Sequence, residues 1–244
     1  MYFLEISLLV SFGVGAQQDY CASANTKAKI VDEHNKLRSM LALGSVRGSD
    51  GQFFSSGSNI YKLKWDYQLE ALANQDVAHC KLLSHRGPEL GVNSGASYAP
   101  HLEPHIHIIS FISDEKNRAL RAKWRDRRIG LHAVALIKEW WEAGEQLDLW
   151  TSNYTFNVAM LGEEVPRFTQ MAWGLTTSVG CGMAAPCNEA NVRETVFIIC
   201  YYWPSGNHIG SKIYQAGPPC KFDSDCTTYP NSTCSVKEGL CVSP

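Results

Sequence analysis

The sequence lacks several features that would assign the protein to a common functional class. No segment contains 18 consecutive apolar residues, the length that a membrane-spanning helix requires. Neither sign of charge dominates, because 22 basic residues stand against 24 acidic ones. This balance gives no general attraction to nucleic acid or to an anionic membrane. The hydrolase motifs G-x-S-x-G and H-E-x-x-H are also absent.

Cysteine, by contrast, is abundant. Nine cysteines predict disulfide bonds and therefore an oxidising compartment. The odd number leaves one thiol over, and the number of possible pairings is too large for the sequence alone to decide among them. The sequons at Asn153 and Asn231 predict glycosylated surface loops.

The first residues predict a secretory signal peptide. Residues 6–14 are apolar, and small residues precede a predicted cleavage after Ala16, although Glu5 is unusual in such a segment. The alternative is a buried N-terminal helix. The expected mature protein begins at Gln17 and is secreted.

Apolar periodicity predicts three helices followed by strands. The helices are expected at 28–43, 66–83 and 133–145, with Asp66 as an N-cap. The strands are expected at 168–173, 179–184 and 195–202, and the last of these is apolar enough to be covered on both faces. Helices followed by strands in one disulfide-bonded unit indicate an α+β layered domain. Residues 217–244, with four cysteines, are expected to form a small tail that depends on its own bridges.

Residues 98–130 have an unusual composition. Seven basic side chains lie between Lys116 and Arg128, against one acid, Asp126. A basic surface for anionic partners, a solvated loop or helix, and translated non-coding sequence are all consistent with this pattern. His101, His105 and His107 could bind zinc, but no sulfur or clear carboxylate ligand accompanies them.

Two segments together resemble a known family. Residues 166–173 (PRFTQMAW) and 200–207 (CYYWPSGN) are about 30 residues apart, with Gly180-Cys181 between them. They resemble the signature segments of the CAP superfamily, which includes cysteine-rich secretory proteins, venom antigens and pathogenesis-related proteins. The resemblance is greatest to secreted nematode proteins of the Ancylostoma-secreted-protein type. It implies a three-layer α/β/α sandwich over 17–216, with 98–130 as an atypical insertion and 217–244 as the cysteine-rich tail.

The resemblance also assigns motif residues. His34, Asn35 and Arg38 match the family's first-helix motif, which is expected to be a hydrogen-bonded core element rather than a catalytic one. The remaining positions that match the family's motifs are Phe168, Thr169, Gln170, Trp173, Cys200, Tyr202, Pro204, Gly206 and Asn207.

A metal site is a family feature that this chain is not expected to share. The family's central cavity carries two histidines and two acids, and the resemblance places one of these histidines at His85. The other three positions hold Val92, Ala143 and Arg167. Glu142 lies one residue from the expected acid, and this offset turns its side chain by about 100° on a helix. An arginine offers no lone pair to a metal, so neither a metal nor any other cofactor is expected at the cavity formed by His85, Glu142 and Arg167.

The family's disulfide pattern implies a specific pairing. It predicts Cys80–Cys187 and Cys181–Cys200 in the main domain, and the tail is expected to close on itself through Cys220–Cys234 and Cys226–Cys241. Cys21 is then the unpaired cysteine.

The function implied by the resemblance is non-enzymatic. We expect a secreted effector that binds a host or extracellular protein, with an immunomodulatory or anti-haemostatic role. A sterol or lipid carrier is the alternative, and a metal-dependent hydrolase is a weaker one. Nucleic acid is not an expected partner, and no membrane span is expected.

Overall fold

Four helices and eight strands make up the structure. The computed structural model describes residues 22–78, 80, 87–99, 114–162, 164–189 and 192–244. The helices are α1 (Ala24–Ala42), α2 (Tyr67–Val77), α3 (Asp114–Glu142) and α4 (Val165–Ala172). The strands are β1 (Gly57–Ser58), β2 (Lys64–Trp65), β3 (Gly91–Tyr98), β4 (Ser178–Glu189), β5 (Val192–Trp203), β6 (Gln215–Ala216), β7 (Thr233–Ser235) and β8 (Leu240–Val242).

A four-stranded sheet separates two helical layers. Its strand order is β2-β4-β5-β3, in which β2 runs parallel to β4 and the other pairs are antiparallel. Helices α1, α3 and α4 pack in the core on one face, whereas α2 packs on the other face together with Ile199 and Tyr201. Ile198 and Cys200, which alternate with these two residues along β5, pack in the core that contains α1, α3 and α4. Strand β5 is therefore buried on both faces. The expected α/β/α sandwich is confirmed.

Helix α2 lies unusually close to the sheet. A Cβ atom added at Gly180 would lie 2.3 Å from the Glu70 amide nitrogen, and one at Gly182 would lie 2.4 Å from the Ala73 carbonyl carbon. Only glycine fits at such distances, so these two positions set the spacing between α2 and the sheet. Asp66 caps α2 as predicted, since its carboxylate accepts hydrogen bonds from the amides of Gln68 and Leu69.

Three predicted elements differ from the structure. Residues 168–173 were expected to be a strand but form most of α4, whose first turn carries Pro166. Helix α2 ends at Val77 rather than 83, and Cys80 has a positive φ of 53°. Helix α3 starts at Asp114 rather than 133, so the basic segment is helical.

The described residues contain four disulfide bonds, which are the two pairs implied by the resemblance and the two pairs expected within the tail. Cys80 is bonded to Cys187 and Cys181 to Cys200, in and beside the sheet. The other two bridges, Cys220–Cys234 and Cys226–Cys241, lie within the tail.

Hydrogen bonds, an ion pair and aromatic packing hold the tail against the sandwich. The backbone of Cys241 exchanges hydrogen bonds with Ile60 and Lys62, at 2.9 and 2.7 Å. The Lys62 ammonium lies 2.6 Å from the Glu238 carboxylate. Tyr61 is fully buried beneath the tail, and its ring centroid is 4.8 Å from that of Tyr229. The bridges therefore close within the tail, whereas its packing is continuous with the sandwich.

Among the described helices, none combines the length and apolar character needed to cross a membrane. Several predictions lie outside the described residues: the signal peptide at 1–16, Cys21, His85, and the three histidines His101, His105 and His107.

Candidate functional site

A series of buried, hydrogen-bonded side chains links α1 to the central sheet. His34 is completely buried, and its Nδ1 lies 2.8 Å from the Ile30 carbonyl oxygen, which can only accept a hydrogen bond. Nδ1 therefore carries the proton, and Nε2 accepts a hydrogen bond from the Tyr202 hydroxyl at 2.9 Å. Asn93 donates to the Arg167 carbonyl and, at 3.4 Å, to the Tyr202 hydroxyl. These bonds hold the imidazole in its neutral form.

Burial shifts the pKa values of His34 and Tyr202. Removal from water, reinforced by the nearby charge of Arg38, lowers the pKa of His34 to about 4. Burial also raises the pKa of Tyr202 well above its ordinary value. Both groups are neutral at physiological pH, so the arrangement is a structural element of the core rather than a proton-transfer site.

Arg38 is a buried cation that is surrounded by backbone carbonyl groups. It is inaccessible to solvent, and burial lowers the pKa of Arg38 to about 9, so it is still charged at neutral pH. Its guanidinium donates to five carbonyl oxygens at 2.6 to 3.2 Å, those of Tyr61, Met171, Trp173, Gly174 and Thr176. Four of these carbonyls belong to the end of α4 and the turn that follows it. Arg38 therefore fixes the turn between α4 and β4.

Asn35 completes the first-helix motif. Its side chain donates to the Leu63 carbonyl at 2.9 Å and accepts from the Leu63 amide at 2.7 Å. His34, Asn35 and Arg38 each bind the polypeptide backbone, which is the core role expected for them.

A cavity that includes Val92 in its lining lies between the start of β3, helix α4 and the loop after β5, and we call it the central cavity. Glu142 and Arg167, which were expected to line it, are not among its described lining residues. The volume of the cavity is about 640 Å³. Its described lining consists of glycine, proline and aliphatic residues together with polar residues that carry no carboxylate: Gly87, Pro88, Leu90, Gly91, Val92, Pro166, Gln170, Ser205, Gly206, Asn207 and His208.

Hydrogen bonds fix the loop that forms one wall of this cavity. The Gly206 amide donates to Gln170 Oε1 at 2.8 Å. The Asn207 amide group donates to the Pro166 carbonyl at 2.8 Å, and Thr169 Oγ1 donates to Asn207 Oδ1 at 2.6 Å. Thr169, Gln170, Gly206 and Asn207, which match the family's motifs, thus position the loop after β5 against α4. Their polar groups are hydrogen-bonded within the protein.

Ser205 and His208 form a pair that sequence reasoning did not identify. Ser205 Oγ lies 2.9 Å from the Pro88 carbonyl oxygen and 3.0 Å from His208 Nε2. A serine beside an imidazole can be a nucleophile and its base. Here the hydroxyl has one proton and the carbonyl can only accept, so Ser205 donates to Pro88 and His208 Nε2–H donates to Ser205. This orientation makes His208 a hydrogen-bond donor and not a general base.

The positions of the expected metal ligands do not suit a metal. Ala143 is buried and Val92 is half-buried, and neither side chain has a ligand atom. Glu142 is exposed on α3. The Arg167 guanidinium lies 2.6 Å from the Glu164 carboxylate. With His85 outside the described residues, the described lining offers one imidazole, which is already hydrogen-bonded, and no carboxylate. These residues do not fit a zinc site.

A second cleft lies between the turn after α4, the loop after β5 and the tail. Its volume is about 410 Å³. The walls are mainly aromatic and aliphatic, with hydroxyl and amide groups and one lysine at intervals: Asn59, Trp173, Gly174, Leu175, Pro204, Ser205, His208, Ser211, Lys212, Ile213, Tyr214, Gln215 and Tyr229. We call this the apolar cleft. Sequence reasoning missed it because its walls come from four separate parts of the chain: Asn59, residues 173–175, residues 204–215 and Tyr229.

Comparison with known proteins places this architecture in a family. The model of the cysteine-rich secretory protein family, CAP, matches residues 31–202. The chain belongs to the CAP family. The matched range contains the second part of α1, all of α2, α3 and α4, and most of the central sheet, so the resemblance inferred from the two segments is confirmed.

Several relatives are similar over most of this CAP chain. Ancylostoma secreted protein of Ancylostoma caninum is 29% identical over 213 residues, covering 86% of this chain and 42% of the relative. Scoloptoxin SSD552 of Scolopendra dehaani is 27% identical over 242 residues, covering 99% of this chain and 96% of the relative. The chain therefore spans less than half of the first relative's length and nearly all of the second's.

A solved structure supports the same conclusion. The structure of BmVAL-1 has a TM-score of 0.69 and 31% sequence identity, covering 91% of this chain and 96% of that chain. The sandwich described here is thus the CAP fold, and the apolar cleft and the central cavity are features of a CAP domain.

Proposed function

We propose that the protein is a secreted, non-enzymatic CAP protein that binds a host or extracellular protein through the apolar cleft. The observation that carries the proposal is a preformed apolar depression with exposed apolar side chains in and beside it. Leu175, at 38% exposure, forms part of its wall, and Trp203 and Ile209, at 45% and 60%, lie in the adjoining segment. Apolar pockets of this kind receive the anchoring side chains of protein partners.

The cleft is rigid before a partner binds. The Tyr214 hydroxyl donates to the Ser55 carbonyl at 2.9 Å, and the Tyr229 hydroxyl donates to the Leu175 carbonyl at 2.8 Å. The Gly174 amide donates to the Ile213 carbonyl at 2.7 Å. Because these groups are already ordered, a partner loses little conformational entropy in ordering them.

An extracellular location is consistent with the chemistry of the chain. Four disulfide bonds require an oxidising compartment. Asn153 and Asn231 both lie in exposed turns, where a glycosyltransferase can reach them. The relatives named above bear the names of a secreted protein and a toxin. An immunomodulatory or anti-haemostatic role is the finer part of this proposal.

The two competing functions have less support. A hydrolase would require a metal or a general base, and the described lining of the central cavity offers neither. A lipid carrier would require space between helices. Helices α1 and α3 touch so closely that a Cβ atom at Gly130 would lie 2.9 Å from Thr26 Oγ1.

Quantitative affinity capture tests the proposal. The oxidised, glycosylated protein would be immobilised and exposed to host plasma and to blood-cell surface extracts. Leu175→Asp places a charge in the wall of the cleft, and Leu131→Asp makes the same change at an exposed leucine of α3 that does not line it. We expect a protein retained by the wild type and by Leu131→Asp but lost with Leu175→Asp. Equal retention by all three forms would reject the cleft as the binding site.

A further inference from the structure

The first half of α3 carries a strongly basic surface. Between residues 114 and 128 the sequence has seven basic side chains and three acidic ones, a net charge of +4. The whole chain has a net charge of −2, so the remaining residues carry −6. The positive charge is therefore concentrated on one segment of an otherwise acidic protein, which focuses the electrostatic potential there.

This half of the helix has little role in the hydrophobic core. Ile129 is the first residue of α3 assigned to the core, and the described side chains before it are exposed or half-buried. The segment is attached to α1 through Asp126, whose carboxylate accepts hydrogen bonds from Ser23 Oγ at 2.6 Å and Thr26 Oγ1 at 3.1 Å. Asp126 is thus directed toward the protein. Among the basic side chains of the segment, Arg121, Arg125 and Arg128 are half-buried and the other four are exposed.

Four of the arginines lie in one row. Arg118, Arg121, Arg125 and Arg128 follow each other at spacings of three, four and three residues, so they share one side of the helix over about 15 Å. We call this row the arginine stripe. The Arg128 guanidinium lies over the Trp124 ring, 5.6 Å from its centroid. This contact orients a cation before any ligand arrives.

We propose that the arginine stripe binds a sulfated polysaccharide of the extracellular matrix or cell surface. A linear polymer with regularly spaced sulfates matches a straight row of cations. The planar guanidinium group binds such oxyanions through two parallel hydrogen bonds. The disulfide bonds place the protein in a compartment where this class of polyanion is present.

An anionic membrane fits this surface less well. A helix that lies in a membrane interface needs a free apolar face beside its basic one. The core face of α3, which includes Ala133, Leu136 and Ile137, is already buried in the domain, and Leu120 is the one large apolar side chain that is exposed in the described part of the basic half. The polysaccharide site is independent of the apolar cleft, because the two surfaces share no residue.

The test is binding of the full oxidised chain to size-defined heparin fragments. Arg118→Gln/Arg121→Gln removes two charges from the stripe. Lys123→Gln/Arg127→Gln removes two charges from exposed positions on another side of the same helix segment, so the change in net charge is matched. We expect the stripe variant to raise the Kd about tenfold or more, since two charge-assisted contacts are lost, and the control to change it much less. Binding should also weaken steeply as salt is raised.

Three outcomes would overturn the proposal. Equal weakening by the two variants would show diffuse attraction without a defined row. Retention of desulfated heparin as strongly as of heparin would exclude sulfate recognition. Tighter binding to phosphatidylserine vesicles than to heparin would indicate a membrane ligand. Circular dichroism of each variant checks that α3 is intact.

Discussion

The Arg167 guanidinium lies 2.6 Å from the Glu164 carboxylate, three residues earlier in the chain. The pair is partly solvated, with 30% and 51% of the two side chains exposed. The resemblance to the CAP family places a metal-binding histidine at this position. Arg167, which is paired with Glu164, therefore stands where the family has a metal ligand. An arginine at this position cannot coordinate a metal ion.

We predict that the protein binds no zinc ion tightly at the central cavity. Val92 and Ala143 provide no ligand atom, and Arg167 provides a positive charge. Isothermal titration calorimetry with Zn²⁺ should give no stoichiometric binding, and His85→Ala should behave like the wild type. One tight equivalent that disappears in His85→Ala would contradict this prediction.

We predict that acid destabilises the protein through His34. Its pKa is about 4 in the folded protein against 6.5 for the ordinary group, so the unfolded chain holds more protons between these values. The contribution of His34 to the free energy of unfolding is therefore complete above pH 6.5. It decreases by about 3 kcal/mol in total as the pH is lowered through 4.

Urea unfolding at several pH values measures this effect. An NMR titration should show His34 neutral at pH 5. A His34 that titrates near 6.5 in the folded protein would disprove the assignment.

We predict a large loss of stability in Arg38→Leu. The substitution removes one donor from each of five buried carbonyl oxygens, of which those of Trp173 and Gly174 keep a backbone amide donor. The loss should lower the free energy of unfolding by about 3 kcal/mol. Lys36→Leu, at an exposed position of the same helix, should change it by less than about 0.5 kcal/mol. Similar denaturation midpoints for the two variants would show that the carbonyl contacts are unimportant.

We predict that removing residues 217–244 leaves the sandwich folded but less stable. No disulfide crosses this boundary, since both tail bridges lie beyond Gly217. The deletion exposes Tyr61 and removes the Lys62–Glu238 ion pair, so the thermal midpoint should fall while the circular dichroism spectrum keeps its helical character. An unfolded truncated chain would show that the tail belongs to the same cooperative unit. Peptide mapping that joined a tail cysteine to Cys80 or Cys181 would contradict the bridge assignment.

The residue pattern was sufficient to predict the two central strands, β4 and β5, whereas the layer order was implied by the family resemblance. Strand β5 is rich in β-branched and aromatic residues and is buried on both faces, so its composition reports its environment directly. Helix α4 was misassigned because its aromatic and β-branched residues favour strands. Its buried Phe168, Met171 and Ala172 have helical spacing, and Pro166 lies in the first turn, so these were the signals available.

Close packing explains what local patterns could not predict. Strand β3 contains two glycines, Gly91 and Gly95, a residue type that is depleted in strands. A Cβ atom at Gly91 would lie 2.0 Å from Gln170 Oε1, so the small side chain is required by a helix far away in the sequence. The apolar cleft depends on the same kind of long-range contact, between Leu175 and Tyr229 of the tail. No sequence pattern connects those two residues.

Hydrogen–deuterium exchange of the protein, free and bound to a partner isolated by affinity capture, tests the central claim most directly. If the protein acts by binding through the apolar cleft, amides in residues 173–176 and 204–215 should exchange more slowly in the complex, and those in 87–92 should be unchanged. Protection confined to residues 87–92, beside the central cavity, would contradict the account.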